Sequence, residues 1–490
     1  MSGSGPVAQQ RAIAWLTELG WAHASGPVLG PEGEDPERSS TSAVLLEGRL
    51  RRALARINVH LRPSELDEVV RVVGRPDSPS LEERNHAFHR LVRDGVAVRV
   101  RRDGRERGDL AWLIDRHAPE RNDWLAVSQL TVVDGEHSAR ADLVLYVNGL
   151  PLAVIQFTDP EDPGATIEDA CHQLQLHKAQ VPALFTTNEV LVISDGTEAR
   201  VGSLTAGVER FGPWRSVDGD VLGADAVPPL KGLLCGLFEP RRFLDFVRHF
   251  VLWETDDGFV KKVAAGHQFR AVNKAVEATV RAASDSGDRR VGVVWHTQGS
   301  GKSISMVFYA ARVVLEPPMQ NPTLVVVTDR NDLHGQLYAQ FCAAKDLIPS
   351  PKQAGSRRHL RELLQVASGG VVFTTMQKFS LTDRERRSAA AFPALSQRRN
   401  IVVIVDEAHR TQYGFRTRLD PATGDVTAGL AQNLRRALPG ASFIGFTGTP
   451  IELDDRSTPA VFGDYIDTYT IEQAVQDGAT VPLFYEARLA

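Results

Sequence analysis

Between residues 95 and 194 the chain gathers its apolar side chains into short dense runs: GVAVRV, GDLAWLI, WLAVSQLTVV, DLVLYV, LAVIQF and NEVLVIS. Runs this short and this rich in valine, leucine and isoleucine predict strands. The segment DACHQLQLHK reads as a helix between the last two, so the series predicts a mixed sheet flanked by helices and ending near residue 215, at FGPWRSVDG. An Asn-Gly pair at 148–149 lies between DLVLYV and LAVIQF and predicts a tight reversal there. Upstream, LLEGRLRRALARI sets apolar residues at helical spacing with arginines between them, which predicts a first amphipathic helix. The first 40 residues include HASGPVLGPEGEDPERSS, whose glycines, prolines and acids predict a loosely held extension over 1–40. Residues 41–230 then form the mixed-sheet domain, and KGLLCGLFEPRRFLDFVRHFVLW predicts a helical connector over 231–260.

From residue 261 to 490 the pattern changes to alternating strand and helix: VGVVWH, SISMVFYAARVVL, TLVVVTD, VVFTT, NIVVIVDEAH and ASFIGFTGTP. Strands that are apolar on both faces and alternate with helices predict a parallel sheet covered on both sides. The fold class is therefore α/β, a mixed-sheet domain followed by a parallel-sheet domain. No internal repeat is visible.

Composition bounds the rest. A length of 490 residues exceeds one ordinary core, and 42% hydrophobic with 24% charged residues is the balance of a soluble globular protein. No apolar run reaches the roughly 18 to 20 residues of a membrane span. MSGSGPVAQQ lacks the basic-then-apolar order of a secretory signal, so the expected location is the cytoplasm. The three cysteines, Cys171, Cys235 and Cys342, are too far apart for a metal knuckle and too few for a disulfide framework. Net charge is only -5, so a nucleic-acid partner needs a local basic surface. RVRRDGRERGD, residues 99–109, is one candidate, although its interleaved acids favour a solvated hairpin.

The strongest chemistry lies in WHTQGSGKS, residues 295–303, between a buried strand and an apolar-periodic helix. That is the context a phosphate-binding loop requires. Thr297, Gly299, Ser300 and Gly301 offer a small-residue backbone cradle, Lys302 reaches the outer phosphates of ATP, and Ser303 holds Mg2+. His296 stands where the full pattern has its first glycine. IVVIVDEAH, residues 401–409, delivers Asp406 and Glu407 at the end of a second buried strand. Asp406 completes the magnesium shell, and Glu407 orients or deprotonates the attacking water. Asp-Glu-Ala-His narrows the class to nucleic-acid motors, with FTGTP, residues 446–450, as the coupling segment. Thr328, Arg330, Thr374 and Thr375 then become candidate DNA contacts, and Gln268 the adenine reader.

These strings, with LYVNGLPLAVI, NEVLVISDGTEARVGSLTAG, VKKVAAGHQFRAVNKAV and YTIEQAVQDGATVPLFYEARLA, resemble the restriction (R) subunit of type I restriction-modification enzymes from Ala43 onward. The resemblance implies a restriction-endonuclease-like (PD-(D/E)xK-type) domain followed by the first RecA-like lobe of an ATP-dependent translocase of double-stranded DNA. It implies methyltransferase and specificity subunits as partners, and a role in host defence.

Two departures from that family matter. R subunits carry an acid where Asp142 stands, then Glu-x-Lys after the next strand, then a helix with Gln and, four residues on, Tyr. This chain has Asp142, Gln173 and His177, but Gln156 and Thr158 replace the Glu and Lys. Losing one charged group at such a centre costs roughly 2.7 to 4 kcal/mol of barrier. Asp159 faces the other side of the strand by alternation, and Lys178 lies about 140° round the helix from Gln173. Neither substitutes, so the expectation is an inactive nuclease site, with Asp142 the one candidate Mg2+ ligand left and the sheet kept as a docking platform. The second departure is that family members continue past the position of Ala490 into a second motor lobe supplying an arginine. The expectation is therefore slow hydrolysis by this chain alone, with the other lobe encoded separately or lost. The alternative reading is a non-catalytic ATP-binding module that docks on DNA or partner subunits.

Overall fold

The computed structural model describes residues 7–75, 78–102, 105–158, 166–217, 220–221, 227–328, 331–381, 392–408, 418–419, 426–427, 430–449 and 462–481. The chain divides into two compact units at Gly266 and His267.

The first unit is built on a seven-stranded mixed sheet in the order Ala22–Ser25, Trp124–Asp134, His137–Val147, Leu150–Phe157, Val190–Ser194, Ala199–Gly202, Gly212–Pro213. Every residue of Leu150–Phe157 and Val190–Ser194 is buried, as continuous apolar runs demand of central strands. These two pair in parallel, and the helix Ile167–Gln180 crosses between them. The predicted reversal is present: Asn148 and Gly149 have φ of 54° and 79°, both in the left-handed region that a two-residue hairpin turn of this kind uses. A Cβ on Gly149 would lie 2.4 Å from the carbonyl oxygen of Leu46, so the turn also needs glycine for space. The expected amphipathic helix runs over Glu47–Ile57 and buries Leu50, Ala53 and Leu54.

Three expectations need correction. Residues 7–40 are not a loose extension. Val7–Glu18 is a helix burying Ala8, Ala12 and Leu16, and Ala22–Ser25 pairs with the Trp124–Asp134 strand. Its glycines and prolines sit at a short helix, Gly26–Leu29, where a Cβ on Gly26 would lie 2.5 Å from the carbonyl oxygen of Gln129. Secondly, GVAVRV and GDLAWLI do not join the large sheet. They make a separate hairpin of Val96–Arg102 with Arg105–Ala111. Thirdly, residues 231–260 are no connector. The helices Pro229–Leu237 and Pro240–His249 and the hairpin of Val251–Glu254 with Val260–Val263 belong to the first unit. Their aromatic and leucine side chains are core: Phe238, Phe243, Phe246 and Leu233 are fully buried, and the Trp21 indole donates to Phe238 O at 2.9 Å.

The second unit carries a seven-stranded sheet, all of it parallel, in the order Lys352–Gln353, Val371–Thr375, Thr323–Thr328, Ile401–Val405, Ser442–Thr447, Arg290–His296, Tyr465–Tyr469. The edge strand Tyr465–Tyr469 was not among the expected ones. Among the described residues no helix is long and apolar enough to cross a membrane.

Candidate nucleotide site and carboxylate pair

In a parallel sheet all carboxyl ends lie along one edge, and ligands bind there. The strand Arg290–His296 is separated from Ile401–Val405 by one neighbour, Ser442–Thr447. The three segments that follow these strands carry WHTQGSGKS, DEAH and FTGTP, so topology brings three motifs to one edge.

The loop from Thr297 to Gly301 leads directly into the helix Lys302–Leu315. Gly299 and Gly301 have φ of 86° and 79°. Those values favour glycine. A Cβ on Gly301 would lie 2.5 Å from Nε2 of Gln268. Ser300 turns its hydroxyl back to Thr297 O at 2.7 Å, so its side chain closes the loop while Gln298 and Gly299 stay exposed. Lys302 Nζ donates to Thr297 O at 3.3 Å. Burial lowers its pKa, opposed by the carboxylates of Glu407 and Asp406 facing it. A Cβ on Gly448 of the FTGTP segment would lie 2.9 Å from the same ammonium. A bare backbone there lets the turn after Thr447 approach the lysine. Asp406 accepts from the N–H of Glu407 at 2.9 Å, and Glu407 has φ of 50°, a strained value for a residue with a Cβ. Ser303, in the first turn of the helix, is half-buried.

These residues fit a magnesium–nucleotide triphosphate. A glycine cradle opens onto a helix N-terminus, and one ammonium faces two carboxylates. Lys302 would meet the outer phosphates, while Ser303 and Asp406 would hold the metal.

A buried network behind the loop went unread in the sequence. Asp467 Oδ1 accepts from Arg270 Nε at 2.7 Å, and Oδ2 accepts from Arg270 Nη2 at 2.9 Å and from His296 Nε2 at 3.0 Å. Burial alone would raise the Asp467 carboxyl, but His296 and Arg270 hold it below the usual range. His296, standing in place of the pattern's first glycine, is fully buried and belongs to this network. His267 stacks on Tyr469 with ring centroids 3.9 Å apart, and its Nε2 lies 3.0 Å from Ser300 O. Burial, aided by His296, pushes His267 down to about 3, so the ring is neutral and donates to that carbonyl. Gln268, expected to read adenine, donates to Gly301 O at 3.1 Å and braces the loop. Asp467 stands two residues before the string YTIEQAVQDGATVPLFYEARLA, and no local spacing marks it as buried.

The candidate DNA contacts fare differently. Thr328, Thr374 and Thr375 sit at the carboxyl ends of adjacent strands, but all three are buried. Thr375 accepts from Lys378 Nζ at 3.4 Å, and the Thr374 hydroxyl is buried without a partner among the described residues. Tight strand packing buries all three of these candidate donors. Arg330 lies outside the described residues, as does Asp159.

In the first unit Asp142 and Gln156 face each other across antiparallel strands, next to the pair Leu143 and Ile155. Asp142 Oδ2 accepts from the Gln156 side-chain amide and, at 3.0 Å, from the N–H of Phe157. A carboxylate can only accept, which fixes the amide nitrogen toward it. The remaining oxygen of Gln156 and the Thr158 hydroxyl are buried without partners among the described residues. Burial raises the Asp142 pKa despite these donors. Gln173 is exposed on its helix, His177 is buried, and Lys178 Nζ donates to Leu204 O at 2.7 Å. Among the described residues no three His, Cys, Asp or Glu side chains gather where a metal could sit. Among the described residues the groups on the Asp142 carboxylate are an amide and a backbone N–H, not the second carboxylate that a catalytic divalent ion takes.

Two family models match the chain: the type I restriction enzyme R protein N terminus over residues 6–210 and the SWI2/SNF2 ATPase over residues 267–490. The type I restriction enzyme HindI endonuclease subunit of Haemophilus influenzae is 44% identical over 98% of this chain and 45% of its own length. A Methanocaldococcus jannaschii protein, provisionally named the type I restriction enzyme MjaIXP endonuclease subunit, is 34% identical over 99% of this chain and 46% of its own. The type I restriction enzyme SsaAORF53P endonuclease subunit of Staphylococcus saprophyticus is 27% identical over 79% of this chain and 38% of its own. The chain thus spans about half the length of the curated relatives it matches.

Proposed function

Because this chain is homologous to type I restriction enzyme endonuclease subunits along nearly all its length, we propose that it is the ATP-using part of such a subunit, driving movement along double-stranded DNA. Its first unit is a restriction-endonuclease-like fold that no longer cuts, and its second is a RecA-like motor lobe. Translocation by the whole assembly needs methyltransferase and specificity subunits and a second motor lobe, in the cytoplasm.

One observation carries the motor reading: the Lys302 ammonium faces Asp406 and Glu407 across the edge where the Gly299–Gly301 cradle opens. Magnesium-bound ATP supplies the phosphoanhydride whose cleavage drives the machine. Lys302 would bind and orient the outer phosphates. Ser303 and Asp406 would fix the metal, and Glu407 would hold the attacking water and accept its proton. The Asp467 network keeps the loop in place from behind. The nuclease reading rests on the amide of Gln156 occupying Asp142, which leaves one carboxylate where two and a lysine are needed.

Calorimetry tests the motor. Heat from magnesium-ATP binding is expected with the wild type and is lost in Lys302→Ala. Unchanged binding in that variant would show the cradle is elsewhere. For the nuclease, a plasmid with magnesium and ATP should stay intact with the wild type in the assembled enzyme, and be cut when Gln156→Glu is combined with Thr158→Lys. Cleavage by the wild type that vanishes in Asp142→Ala would show that the site still works.

A further inference from the structure

The edge strand Tyr465–Tyr469 continues into an arm that returns to the nucleotide loop. Tyr469 O accepts from Thr297 N at 2.9 Å, so the arm leaves the sheet beside the first residue of that loop. Thr470 caps the helix Ile471–Gln476: its hydroxyl accepts from Gln473 N at 3.3 Å, and the Gln473 side chain accepts from Thr470 N at 3.0 Å. Gly478, with φ of 69°, turns the chain after the helix. Ala479 N and Thr480 N then both donate to Ala474 O, at 2.8 and 3.2 Å. The Tyr469 phenol donates to Asp477 Oδ2 at 2.8 Å and ties the start of the arm to its end. Thr480 is thus held by the arm's own bonds.

The end of the arm meets the loop at Gly299. A Cβ on Gly299 would lie 3.7 Å from Thr480 Oγ1 and 3.9 Å from Thr480 Cβ. Apart from the adjoining residues, no other atom among the described residues comes within 4 Å of that position. Gly299 is exposed and Thr480 half-buried, so a threonine stands on the rim of an open cradle. Its hydroxyl makes no hydrogen bond among the described residues. Other hydroxyls nearby are spent: Ser300 donates to Thr297 O and Thr447 to Thr449 O.

We propose that Thr480 is a phosphate-contacting residue of the nucleotide site, its hydroxyl donating to a non-bridging oxygen of the triphosphate held over Gly299. The contact rests on the motor reading above. A phosphate oxygen bonded to Gly299 N–H would lie about 2.9 Å from that nitrogen. Thr480 Oγ1 borders the same glycine, and its proton is aimed by rotation of the O–H bond alone. A hydroxyl donating to an ionised acceptor makes one of the stronger hydrogen bonds.

The test is calorimetric titration of the full chain with magnesium-ATP and, separately, with magnesium tripolyphosphate, which has neither base nor sugar. Thr480→Val keeps the shape and removes the hydroxyl. It is expected to bind both ligands about tenfold more weakly, the scale of one bond to a charged acceptor, with an unchanged melting temperature in the absence of ligand. Thr480→Ser keeps the hydroxyl and should bind both as the wild type does. Rescue by serine separates a hydroxyl contact from a packing defect, because serine fills the site less well than valine. The contact is overturned if Thr480→Val binds magnesium-ATP as tightly as the wild type, if it weakens ATP but not tripolyphosphate, or if Thr480→Ser loses as much as Thr480→Val. A wild type that binds no magnesium-ATP overturns the motor reading and this contact with it. Binding lost in Lys302→Ala but undiminished in Thr480→Val overturns the contact alone.

Discussion

Lys261 is fully buried and spends all three of its protons, on Asn85 Oδ1 at 2.8 Å, Asn188 O at 2.7 Å and Glu189 Oε2 at 2.9 Å. The same Glu189 oxygen lies 3.0 Å from His89 Nδ1, and the other is buried without a partner among the described residues. Removing one member of a buried pair strands the other charge, so Lys261→Ala should lose about 3 to 5 kcal/mol of stability in a denaturant titration. The pH dependence follows from Glu189. Burial would raise its carboxyl, but His89 and Lys261 hold it below the usual range. A depressed carboxyl stabilises the fold above its unfolded pKa of about 4.3, and that contribution disappears as pH falls through the folded value. Wild-type stability should therefore fall on acidification below about pH 4. The Lys261→Ala variant should fall less steeply over that range. None of this was legible. A lysine in the run VKKVAAGHQ looks like surface, and only the packing of a hairpin onto a strand end buries it.

At the scale of elements, sequence served best where one pattern dictated one geometry. Continuous apolar runs became the parallel strands, the Asn-Gly pair became a turn, and Gly-Ser-Gly-Lys-Ser became a strand-to-helix loop because only glycines accept its φ values. It served worst where an element's partner is distant in the chain. Neither the pairing of Ala22–Ser25 with Trp124–Asp134 nor the link from Asp467 to Arg270 leaves a local trace. The same distance hid the burial of Thr374 and the bracing role of Gln268. Gly301→Ala tests how tightly the loop depends on its backbone. The left-handed φ costs about 1 to 2 kcal/mol for a residue with a Cβ, and the added carbon meets Gln268. Lower thermal stability and weaker ATP binding are expected together. Binding retained at wild-type strength would mean that the cradle tolerates a shifted Gln268.

The molecule as a whole holds two units, each with its own seven-stranded sheet and its own core. Scanning calorimetry should resolve two transitions. Magnesium-ATP at a hundredfold excess over its dissociation constant should add about 2.7 kcal/mol to one of them, and Lys261→Ala should lower the other. A single transition shifted by both perturbations would show one cooperative block. Separate cores also bear on heredity. Side chains that alter chemistry on one sheet leave the folding of the other undisturbed, so the surroundings of Asp142 and the glycines of the 299–301 loop are free to change under separate selection.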